Sequence, residues 1–151
     1  MNQTADRATA IFVARAILGT VFFVAGLYKT FMWGPVAHAR ELFVIPYADT
    51  FLPVWSLWLT GVIVPPVELV AGGLVLVGLW TRPALLALAA VLVLVTFGHL
   101  LVSPIDSLFR FIMPRSALLL IVLLSPAEAD RYSLSFILRW KRHRNAEVAA
   151  A

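Results

Sequence analysis

The chain has 151 residues, 62% of them hydrophobic and 13% charged, with a formal charge of +4 and a mean hydropathy of +0.93. A soluble domain is about 45–50% apolar and about 25% charged, so this composition excludes an ordinary globular domain and defines an integral membrane protein with room for one bundle. No cysteine is present, which excludes disulfides, thiolate metal sites and thiol–disulfide exchange within the chain, and the basic residues crowd the last 21 positions as a positive-inside tail rather than a nucleic-acid patch.

Residues 1–9 are short and polar, read as a cytoplasmic segment. Residues 10–31 are long enough to cross a hydrocarbon core, which takes about 20 residues. A secretory signal is the rival reading, with Ala37-His38-Ala39 as the cleavage site, but Arg15 interrupts the apolar run and the stretch is too long. Arg15 is expected to snorkel to the inner surface. Gly19 and Gly26, seven apart, share a helix face suited to close packing. Residues 34–53 form a long loop, in which PVAHARELFV predicts a short helix opening at Pro35 and stopping before Pro46. A plain connector is the preferred reading of this loop, and a lid over the bundle mouth the sharper one.

The second span, 55–80, holds what a lipid-facing helix avoids. Pro65 and Pro66 remove two backbone donors, which predicts a kink or a fresh start. Glu68 costs on the order of 3 kcal/mol in hydrocarbon by insertion scales unless it is paired, protonated or facing water. Gly72, Gly73 and Gly78 follow, of which the Gly72-Gly73 pair is read as packing. Thr81-Arg82-Pro83 is expected to turn the chain into a third span, 84–102. The fourth span, 107–125, carries Arg110, Pro114 and Arg115 before a clean apolar run. The basic tail, 126–151, predicts an interfacial helix with Leu134, Ile137, Leu138 and Trp140 on its apolar side. The fold class is therefore all-α, a four-helix transmembrane bundle. Arg7, Arg82 and the tail cations share one side, which places both termini in the cytoplasm of a bacterial inner membrane.

Counting helical rise from the cytoplasmic ends puts Glu68 and Arg115 about 15–18 Å up and Lys29, His99 and Arg110 about 22–29 Å up. Glu68 with Arg115 is the expected ion pair, with Lys29 able to reach the same carboxylate from above. These charges either staple helices together or line an outward polar pocket for an anionic or quinone-like molecule. In the pocket reading Lys29, Arg110 and Arg115 supply donors, and Glu68 or His99 a proton relay. His99 alone reads as a satisfied structural histidine. No metal-ligand spacing, phosphate loop or nucleophile motif stands out, so the chain has no stand-alone catalytic motif.

Arg15, Gly19, Gly26 and Lys29, then Pro66-x-Glu68, Gly72-Gly73, Gly78 and Thr81-Arg82, resemble the DoxX family of small bacterial membrane proteins. The tail SPAEADRYSLS is similar to that family's ending without its glycines and final aspartate. The resemblance implies a four-helix bundle and a membrane subunit or assembly partner of a quinone-linked redox system. A quinone is then the candidate cofactor, a soluble or membrane redox enzyme the partner, and self-association is open. Two alternatives stand beside it: a small-molecule carrier or channel using the pocket around Glu68, and a structural scaffold.

Overall fold

A computed structural model describes residues 3–102 and 108–150. Among these residues the elements are all helical: α1 (Gln3–Leu27), α2 (Pro35–Ala39), α3 (Val54–Val77), α4 (Thr81–Val102), α5 (Met113–Leu124) and α6 (Leu134–Ala150). Widened π-helical turns extend α1 over Tyr28–Trp33, α2 over Arg40–Val44, and precede α5 over Leu108–Ile112. The helices carrying α1, α3 and α4 are long and apolar enough to cross a membrane, while α5 is shorter. Large apolar side chains such as Val24, Ile63, Val70, Leu86 and Val93 face outward, the pattern of a lipid-facing surface.

Helices α1 and α3 pack antiparallel and unusually close. A Cβ on Gly19 would lie 2.6 Å from the Leu76 backbone, one on Gly72 would lie 2.5 Å from the Phe23 amide nitrogen, and one on Gly26 would run into the Leu69 backbone. Small residues at this seam let two backbones approach where lipid offers no competing hydrophobic drive. Leu18, Phe22, Val75, Leu85, Leu88, Leu92, Leu119 and Val122 fill the core beside it.

The polar segment before the first span is helical from Gln3. Several expectations are corrected. The chain does not restart at Pro65-Pro66, because α3 runs through both as one helix. The turn into α4 comes earlier than Thr81-Arg82-Pro83. Gly78 stands in the left-handed region (φ 73, ψ 35), its amide donates to the Val75 carbonyl at 3.1 Å and that of Leu79 to Leu74 at 2.9 Å. This pair of bonds ends α3, and glycine has no Cβ penalty in that conformation.

Arg15 does not snorkel. It is 1% exposed, and its Nη1 donates to the Val75 and Leu76 carbonyls at 2.7 Å each. Nη2 donates to the Tyr132 carbonyl at 3.3 Å, and Nε faces Asp130 Oδ2 at 3.1 Å. The last carbonyls of a helix have no intrahelical donor and sit at its negative end, so a buried cation is held there more firmly than at a water surface. Ser133 completes the junction. Its Oγ accepts from the Phe136 amide and caps α6, while the Ser135 amide donates to the Gly78 carbonyl.

Candidate functional site

Along α3, Thr60, Val64 and Glu68 recur every fourth residue and so share one face. Leu92, Val95, His99 and Val102, three or four apart, share one face of α4. Between these faces lies a cavity of about 660 Å³, walled on its remaining sides by the 34–53 segment, Lys29, Ile112 and Arg115. The expected helix at Pro35 is present, and this segment is more than a connector, since His38, Phe43 and Tyr47 form part of the wall. Trp33, His38, Phe43 and Tyr47 pack in sequence, ring on ring, with centroids 5.5–6.3 Å apart. Most of the lining is apolar, with a few polar groups converging on it. That is the general anatomy of a small-molecule site.

Lys29 Nζ lies 2.6 Å from Glu68 Oε2, and the two side chains are 22% and 4% exposed. The salt bridge of Glu68 thus runs to Lys29, where Arg115 was the partner expected first. The reason lies one turn away. Gly26 lets α1 rest against Glu68 and Leu69, so the lysine three residues later reaches the carboxylate from the adjoining helix without crossing the cavity. Arg115 stands on the same cavity wall with its guanidinium 5.6 Å from the Phe22 ring centroid. Lys29, Glu68, His99 and Arg115 therefore line one cavity, and Arg110 lies outside that lining, exposed on the turn before α5. His99 Nδ1 is 2.8 Å from the Val95 carbonyl of its own helix.

Sequence reasoning missed His38. Pro65 has no amide proton, so the Gly61 carbonyl four residues earlier loses its helical donor. His38 Nδ1 lies 2.8 Å from that oxygen. A carbonyl only accepts, so Nδ1 carries the proton and Nε2 is left as the basic nitrogen of a neutral ring lining the cavity. The clue was readable, because a buried proline in a helix asks which donor serves the residue four before it.

Burial lowers the His38 pKa below 6.5 and nearby Lys29 pushes the same way, with the bond to Gly61 and the charge of Glu68 opposing them. Protonation then favours the unfolded chain. Stability from the neutral ring is complete above pH 6.5 and is lost as the pH falls toward the lowered folded value. Melting in detergent between pH 8 and pH 5 should show a loss on acidification in the wild type that is blunted in His38→Gln, which keeps a donor but does not titrate. Parallel curves for the two proteins would remove His38 as the cause.

Among the described residues no group of three His, Asp or Glu is placed to hold a metal ion. The fold and site thus define a multi-pass helical protein of the inner membrane, with an apolar cavity carrying a buried ion pair. Residues 7–106 match the family model of methylamine utilisation protein MauE. The match covers about two thirds of the 151-residue chain, and the chain belongs to that family. No curated protein and no solved structure matches the chain. The family assignment overturns the DoxX resemblance. A carboxylate after a proline pair and glycines at a helix seam answer physical needs that small membrane bundles share, so they discriminate families poorly. Lys29, His38, Glu68 and His99 lie within the matched region, and Arg115 lies beyond it.

Proposed function

We propose that this protein is a membrane accessory component of a redox system of the methylamine-utilisation kind and that its cavity binds a quinone-like molecule. The observation that carries the reading is the Lys29–Glu68 pair set into the wall of a largely apolar cavity of about 660 Å³. The lining residues fit such a ligand in four respects. Lys29 and Arg115 offer donors to carbonyl oxygens, and the neutral His38 offers an acceptor to a hydroxyl. Phe43, Tyr47 and Phe97 offer ring faces, and the aliphatic wall suits a lipid tail. When bound, a quinone supplies two-electron, two-proton chemistry, while the electrons in this reading come from a partner enzyme, since this chain has no cysteine to exchange them. Glu68 and His38 are the groups that hold or pass a proton at the ligand oxygens.

In the same reading the turn before α5 and α5 itself make a fourth crossing. Five plus twelve residues rise about 25 Å, close to a hydrocarbon core of about 30 Å with Arg110 and Arg115 reaching outward. Arg7, Arg82 and the cations of α6 then share the cytoplasmic side, and the cavity opens to the other.

The test is gentle extraction of the tagged protein from its native membrane, followed by mass spectrometry of co-purifying proteins and lipids. The expected result is a redox enzyme in stoichiometric amount and a quinone that Glu68→Gln loses. Recovery of neither, from folded protein, would sink the proposal.

A further inference from the structure

At the other end of the helices a second pocket, of about 390 Å³, lies between the start of α4, the end of α5 and the face of α6. Its rim carries Arg82 from α4 and Arg139 and Arg142 from α6. Among the described residues none of these three forms a salt bridge, for the carboxylate in the pocket wall, Asp130, pairs with Arg15. Three like charges around one small space repel one another unless an anion joins them. The first turn of α4 adds to this, since the amides of Thr81 and Arg82 have no intrahelical acceptor.

A second observation narrows the ligand. Beneath the rim the wall is apolar, with Ile11, Leu85 and Val122, and the exposed Trp80 stands beside it. Indole rings favour the level of lipid headgroups.

We infer that this pocket binds a phosphate group at the membrane surface, presented by an anionic phospholipid. The inference is independent of the cavity around Glu68. Purified protein is titrated with phosphatidylglycerol and, separately, with phosphatidylcholine, and one-to-one adducts are counted by native mass spectrometry. Wild type should favour phosphatidylglycerol about tenfold or more. Arg82→Gln/Arg142→Gln should lose that preference while melting at the wild-type temperature, because both side chains are exposed. Competition with millimolar inorganic phosphate separates the two sources of the group. Persistence of the adduct assigns the pocket to lipid, and its displacement supports a phosphate site while overturning the lipid as occupant. Equal retention of the two lipids, or a preference the double variant keeps, would overturn the inference.

Discussion

Replacing Arg15 with leucine is expected to cost about 3–5 kcal/mol and to deplete the folded protein from the membrane. The side chain sits 1% exposed at the point where α1, the end of α3 and the segment before α6 meet. Leucine would leave the Leu76 carbonyl without its donor, the Val75 carbonyl with the Gly78 amide alone, and Asp130 as an uncompensated buried carboxylate. Lysine should rescue only in part, since one ammonium cannot span both carbonyls, Asp130 and the Tyr132 carbonyl that a planar guanidinium reaches together. Arg15→Leu/Asp130→Leu should recover stability relative to Arg15→Leu, because the stranded charge is gone. Melting in detergent reads the ladder, and trypsin cleavage after Arg131 reads release of the tail. An unchanged melting temperature in Arg15→Leu would show that the junction contributes nothing.

The second large effect is an asymmetry within the cavity pair. Lys29→Met leaves a 4% exposed carboxylate without its bonded cation, a loss of about 3–5 kcal/mol. Glu68→Gln is milder, because the ammonium it leaves is 22% exposed and faces a cavity that water can enter. The double variant Lys29→Met/Glu68→Gln should fold better than Lys29→Met alone, since removing both charges of a buried pair is often close to neutral. A coupling energy near zero across this cycle would mean that the 2.6 Å contact is not felt by the folded protein. The cycle also separates a staple from a site, for a double variant that binds as the wild type does would show that the pair has no part in binding.

The helices and their close-packing faces were legible, and the reason is that both rest on local pattern. Hydropathy marks the three long helices, and Gly19, Gly26 and Gly72 mark faces suited to close packing without saying which helices meet there. The partner of Glu68 was harder. Helical rise gives height in the membrane but no direction around the helix axis, so Arg115 at the same height looked nearer than Lys29 a turn or two above. Gly26 decides between them, by bringing α1 against α3 beside the carboxylate. The Arg15–Asp130 pair joins residues 115 apart through a loop with no periodicity to read. His38 lay in a segment read as connector, and only the missing donor of Pro65 pointed to it. Family membership was the least legible feature, because apolar spans carry little information and the polar positions answer general needs of small bundles.

The most direct test of the cavity's role is a titration of purified protein with a short-chain quinone, followed by thermal melting in three proteins. These are the wild type, Lys29→Met/Glu68→Gln, and Thr60→Phe, which fills the cavity from α3 without touching a charge. A saturable rise in melting temperature in the wild type, absent from both variants, is the predicted result. No rise in the wild type, or the same rise in all three, would contradict a quinone-like ligand in the cavity beside Glu68.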